Sequence, residues 1–65
     1  MIRVNGEEKK LDKPTALLTY LVQEGYQTGR IAVELNGTII PKRNYEQIIL
    51  HAGDVLEVVS FVGGG

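Results

Sequence analysis

The sequence predicts an α+β domain, one β-sheet with a single helix packed across one face. Three observations point there. Short runs of alternating apolar and polar residues flank two Asn-Gly pairs, at positions 5–6 and 36–37. One segment, 15–25, carries its leucines at helical spacing and ends on a glycine. A final apolar run, 55–61, alternates around Glu57 at the two-residue period of a strand. An order of hairpin, helix, hairpin and last strand buries its apolar surface when the helix lies on the sheet.

In residues 1–4, Ile2 and Val4 fall on one side and Arg3 on the other. Asn5-Gly6 is the pair that best tolerates the positive φ angles of a type I′ turn. Residues 7–11 form the return strand, polar up to Leu11, as suits an edge blunted by charge. Lys9 and Lys10 add to that protection. Asp12, Lys13 and Pro14 break the sheet, and Thr15 stands where a helix N-cap belongs. Leu17, Leu18, Leu21 and Val22 draw one apolar stripe, and Gly25 is placed to end the helix. Three residues after Thr15 comes Leu18 rather than an acid, so the helix depends on docking its stripe.

Residues 27–30 are a polar connection, and 31–35 a strand with Ile31, Val33 and Leu35 opposite Glu34. Asn36-Gly37 is a second tight turn, residues 38–40 return, and Pro41 ends the pairing because it has no N–H to donate. Residues 42–47 suggest one helical turn around Tyr45, 48–50 a short strand, and 51–54 a turn. The expected core is Ile2, Val4, Leu18, Leu21, Val33, Leu35, Leu56 and Val58.

Composition removes whole classes of function. Sixty-five residues make one domain, and a chain this short buries only about 60% of the surface it exposes when unfolded. It has no cysteine, so no disulfide and no zinc–thiolate site supports it. A net charge of −1 offers no basic face for phosphates, and four aromatic residues are too few for a base-stacking platform. No nucleic acid and no membrane is expected as a partner. The first ten residues carry no apolar run of a signal peptide, so a cytoplasmic location is expected.

Catalytic constellations are missing as well. His51, the one histidine, sits in a turn three residues from Asp54. Glu7 and Glu8 are consecutive on a strand and face opposite ways, so they cannot flank one bond. Neither a phosphate loop nor a nucleophile–base pair is present. No metal and no bound cofactor is expected, and the chain is expected to be acted upon rather than to act as an enzyme.

The end of the last strand is its most informative part. If Glu57 faces water, Leu56 and Val58 face the core, and Val59 and Phe61 share the side of Glu57. A curled sheet would cover that pair. A docking patch would leave it exposed and contiguous. Next come Val62, Gly63, Gly64 and Gly65. Residues 1–61 are the expected folded domain, and 62–65 a flexible tail. Fully extended, the tail reaches about 13 Å at ~3.3 Å per residue. Gly63 and Gly64 offer no side chain to clash in a narrow channel. A terminal carboxylate at Gly65 would be ionised at neutral pH. It could attack the α-phosphate of ATP, and a thiolate, persulfide or amine could then displace AMP. ATP would have to be held by a second protein. Ordering glycines costs conformational entropy, so the body must supply docking energy, and Val59, Phe61 and Val62 are placed to do so.

The segments VNGE, PTALLTYL, AVELNGTIIPKRNY and HAGDVLEVVSFVGGG together resemble the ThiS family of ubiquitin-like sulfur carrier proteins. The resemblance implies a β-grasp fold, a mixed sheet of four to five strands with the first and last strands parallel at its centre. It implies that Gly65 is adenylated by a ThiF-type enzyme and becomes a thiocarboxylate. Sulfur would come from a cysteine desulfurase or a sulfurtransferase, and thiazole synthase would use it to build the thiazole of thiamin. A β-grasp carrier of another pathway, such as the molybdopterin type, and a non-covalent interaction module are the competing readings.

Overall fold

The computed structural model describes residues 1–61. The elements in chain order are β1 (Ile2–Val4), β2 (Glu7–Lys9), β3 (Thr15–Ala16), α1 (Leu17–Gln23), β4 (Ile31–Leu35), β5 (Thr38–Ile40), β6 (Ile49–Leu50) and β7 (Val55–Ser60). The main sheet has five strands in the order β2-β1-β7-β4-β5. β1 and β7 run parallel at its centre, and the remaining pairs are antiparallel. The mixed β-grasp sheet is therefore present.

Both Asn-Gly turns form as expected. Asn5 and Asn36 each adopt φ 51°, followed by Gly6 at 84° and Gly37 at 87°, the left-handed pair that a type I′ turn requires. Each asparagine also stitches β7 into the sheet. Asn5 donates its backbone N–H to Leu56 at 2.9 Å. Its side chain then accepts from the Val58 N–H at 2.7 Å and donates to the Val58 carbonyl at 3.2 Å. The amide side chain thus continues the parallel ladder after the backbone of β1 has turned away. On the other side, Asn36 accepts from the Val55 N–H at 2.8 Å through Oδ1, and its Nδ2 donates to Asp54 at 3.1 Å.

The helix starts differently from the sequence expectation. Thr15 is not its N-cap. It belongs to β3, which pairs with β6 in a two-residue ladder, and its hydroxyl donates to the Lys13 carbonyl at 2.8 Å. The first helical N–H groups are satisfied from far along the chain. Leu17 donates to Ile48 at 2.8 Å and Leu18 to Tyr45 at 3.0 Å. Backbone carbonyls of the 45–48 segment replace the side-chain cap, satisfying donors that a helix start otherwise leaves orphaned. The helix ends in a Schellman motif, with Gly25 N–H on Val22 at 3.1 Å and Tyr26 N–H on Leu21 at 3.0 Å.

The core consists of Ile2, Val4, Leu17, Tyr20, Leu21, Ile31, Val33, Tyr45, Leu50, Leu56 and Val58. Leu18 and Leu35, expected inside, pack at its margin. Val22, expected on the buried stripe, is 61% exposed. Tyr20 takes that place: Leu17, Tyr20 and Leu21, at spacings of three and four, form the buried stripe, and the helix begins one residue later than a Thr15 cap would set it. Burial raises the phenol of Tyr20 above its ordinary value near 10, helped by Glu24 and then Tyr26. Burial alone does the same to Tyr45. The return strand β2 stops at Lys9, short of Leu11, and β7 stops at Ser60, one residue short of Phe61.

Candidate functional site

The helix covers one face of the sheet and leaves the other open. Along β7, Leu56 and Val58 are buried. On the opposite side Val55 is 40% exposed and Val59 60% exposed. Phe61, just beyond the strand, is 58% exposed. The sheet does not curl over them. The reading in which the sheet covers this pair is thereby excluded.

Register shows what else shares that face. Ala32 of β4 lies opposite Val59, and Glu34 lies opposite Glu57. Glu34 in turn lies opposite Ile39 of β5, which is 73% exposed. On the far side, Arg3 pairs in register with Val55, and its guanidinium reaches Glu8 of β2 at 2.9 Å. The open face is thus a charged pair at one flank and an apolar field with two central glutamates at the other.

Ile39, Ala32 and Glu34 were not singled out from the sequence as surface for docking. A usable signal existed for Ile39. A two-residue turn at 36–37 forces Leu35 opposite Thr38 and Glu34 opposite Ile39, so Ile39 has to share the face of Glu34.

The root of the tail is held firmly. Phe61 donates its N–H to the Arg30 carbonyl at 2.7 Å, after Ser60 has paired with Ile31. Beside it lies a depression of about 340 Å³ lined by Tyr26, Gln27, Arg30, Ile31, Ser60 and Phe61 among others. Val62, Gly63, Gly64 and Gly65 lie outside the described residues, so their assigned roles and the tail boundary are not addressed by this geometry.

Asp54 has structural partners at the turn into β7. His51 donates its backbone N–H to Asp54 at 2.8 Å, which makes Asp54 the organiser of the turn into β7. Among the described residues, no group of three or more His, Asp or Glu side chains is placed to hold a metal ion. No helix among them is long and apolar enough to cross a membrane.

Known proteins share this arrangement. A family model described as the ThiS family matches residues 2–65. The sulfur carrier protein ThiS of Bacillus subtilis is 38% identical over 66 residues, covering 100% of both chains. A thiazole synthase of Paramagnetospirillum magneticum is 39% identical over 62 residues. This chain spans only 19% of that protein's length, so it corresponds to one segment of a longer polypeptide. The crystal structure of the thiamine biosynthesis protein ThiS from Geobacter metallireducens superposes with a TM-score of 0.82 at 27% identity, covering 98% of this chain and 97% of the other. The match is continuous from the first strand through the glycine run, and the solved relative has the same fold over nearly all of both chains: the chain belongs to the ThiS family.

Proposed function

We propose that this chain is a sulfur carrier, a protein cosubstrate for thiazole formation in thiamin biosynthesis. Gly65 is the working residue. A ThiF-type partner binds ATP, and the Gly65 carboxylate attacks its α-phosphate with loss of pyrophosphate. A sulfur nucleophile from a cysteine desulfurase or sulfurtransferase then displaces AMP, leading to a thiocarboxylate. Thiazole synthase takes the sulfur from it. Gly63 and Gly64 let the chain enter a narrow active site, and Val59, Phe61 and Val62 contribute to docking. The chain binds no cofactor of its own in this scheme.

The observation that carries this reading is the end-to-end match with the Bacillus subtilis sulfur carrier, which takes in all of this chain, glycines included. The geometry supports it. β7 is a central strand gripped on both sides, and it delivers the chain at Phe61 next to an exposed apolar face. A thiazole synthase that carries a ThiS-like segment within its own polypeptide supports thiazole synthase as the acceptor.

The test is intact mass after incubation with ATP, a ThiF-type enzyme and a sulfur source. A gain matching exchange of one oxygen for sulfur is expected, and none when Gly65 is deleted. The deletion should leave the melting midpoint unchanged, since the core is complete by Val58. An unchanged mass for the full chain, with an enzyme shown competent on its own carrier, would overturn the reading.

A further inference from the structure

The two Asn-Gly turns are alike in sequence and backbone, and unlike in what holds their side chains. Asparagine followed by glycine is the pair most prone to intramolecular imide formation, because no side chain on the second residue hinders its backbone nitrogen. The Gly6 and Gly37 N–H groups make no backbone hydrogen bond among the described residues, and the space where a Cβ would stand is open at both. The nucleophile is therefore equally free in the two turns. What restrains the reaction is the grip on the asparagine amide, whose Cγ must swing towards that nitrogen.

The grips differ. Asn5 commits both amide atoms to Val58, accepting its N–H at 2.7 Å and donating to its carbonyl at 3.2 Å, in partly buried bonds within β7. Releasing that side chain leaves a donor and an acceptor unpaired and shielded from water, which is strongly unfavourable. Asn36 holds the N–H of Val55, the first residue of β7, at 2.8 Å and the Asp54 carboxylate at 3.1 Å. Both bonds are exposed, so water replaces them when the amide turns away, and the net worth of each is small.

We propose that Asn36-Gly37 is a self-modification site of the folded protein, with water as co-reactant, and that Asn5-Gly6, the same dipeptide, is kept intact by Val58. The Gly37 nitrogen attacks Cγ of Asn36. An N–Cγ bond forms, the Cγ–Nδ2 bond breaks, and Nδ2 leaves as ammonia with the proton lost by Gly37. Water then opens the cyclic imide at either carbonyl. Opening at the former backbone carbonyl gives an isoaspartyl link, and opening at Cγ gives an ordinary aspartyl residue. The net change is amide plus water to carboxylic acid plus ammonia, with no oxidation or reduction.

The product weakens the turn that made it. A carboxylate at position 36 has no N–H to give to Asp54 and meets its negative charge instead. The isoaspartyl link also adds a methylene to the backbone of a two-residue turn. That turn sets Leu35 opposite Thr38, and its Asn36 N–H donates to the Val55 carbonyl at 2.8 Å. Modification therefore loosens the β4–β5 hairpin and the entry into β7.

The test incubates the full chain in mildly alkaline buffer, with and without denaturant, and follows each site by proteolysis and mass spectrometry. Conversion shows as exchange of an amide nitrogen for oxygen in the peptide concerned. In the folded chain Asn36 is expected to convert about tenfold faster than Asn5. In denaturant the two rates should come together. Equal rates in the folded chain, faster conversion at Asn5, or a folded chain that stays intact while the denatured one reacts would each overturn the proposal. A difference that persists in denaturant would overturn it as well, since local sequence rather than the fold would then set it.

The consequence is read from variants, without waiting for the slow reaction. N36D should lower the melting midpoint, with partial recovery in added salt. N36D/D54N should restore it, because donor and acceptor are exchanged across the same pair and position 54 can still accept the His51 N–H. An N36D midpoint equal to that of the wild type, or no recovery in the double variant, would overturn the loosening assigned to the product.

Discussion

β7 carries aliphatic side chains on both of its faces, and the two faces have opposite surroundings. Leu56 is fully enclosed and Val58 nearly so, whereas Val59 remains 60% exposed one residue further on. Hydrophobicity alone does not separate them. What separates them is parity about Glu57 and the side on which α1 lies. The covered face supplies stability. The open face retains exposed apolar surface, interrupted by Glu34 and Glu57.

The sharpest way to break this comparison is to truncate one residue on each face. Leu56→Ala should cost about 2–5 kcal/mol, transfer term and cavity together. In a domain whose core rarely supplies more than ~3–5 kcal/mol, that should leave the chain largely unfolded by circular dichroism at 25 °C. A Leu56→Ala protein that melts close to the wild type would show that the covered face is not the seat of stability.

A smaller effect tests the stitch between the faces. Asn5→Ala leaves the N–H and carbonyl of Val58 without their side-chain partner. The expected loss is about 1–3 kcal/mol, with faster hydrogen exchange at the Val58 amide. Retained protection there would mean that the side chain does not extend the ladder in solution.

Charge probes the covered face in a graded way. Tyr20 and Tyr45 both resist ionisation because burial penalises the phenolate. An unfolded tyrosine ionises near pH 10, and the folded one only above that value. Their contribution to stability is therefore whole below pH 10 and is lost as pH rises through the folded values. Denaturant midpoints should decline above pH 10, and Tyr45→Phe should make the decline shallower. An identical slope in the variant would remove Tyr45 from the account.

The smallest stability effect belongs to the open face. Val59→Ser should change unfolding free energy by no more than about 0.5 kcal/mol. Under the proposed carrier function it should nonetheless weaken binding to an adenylating enzyme. A destabilisation approaching that of Leu56→Ala would erase the distinction between the faces.

The sequence made the turns and the alternation legible, because both are local. Asn-Gly pairs set φ without help from the rest of the chain, and Glu57 fixes the parity of its own strand. The misreadings share a different origin. The cap at Leu17 and Leu18 comes from carbonyls of residues 45 and 48, and a hydroxyl at Thr15 invites a local answer to a question settled nonlocally. The β3–β6 ladder is two residues long, too short to leave a period. Tyr45 lies in a polar run, so its burial at 2% exposure could not be read from its neighbours. The same holds for the Glu34–Glu57 pair. Each strand was visible, but their register depends on how two distant hairpins meet. The apolar residues Val59 and Phe61 of the open face could thus be read from sequence, and the glutamates that share it could not.

The parallel pairing of β1 with β7 has a consequence for how the molecule comes into being. The central contact joins Val4 to Leu56, the first strand to the last, with the whole of the remaining fold between them. Closing so large a loop must precede the gain from burying either strand, and high contact order slows folding. No shorter piece of the chain contains a finished core. The N-terminal hairpin must wait, with Ile2 and Val4 uncovered, until β7 is available to pair with β1.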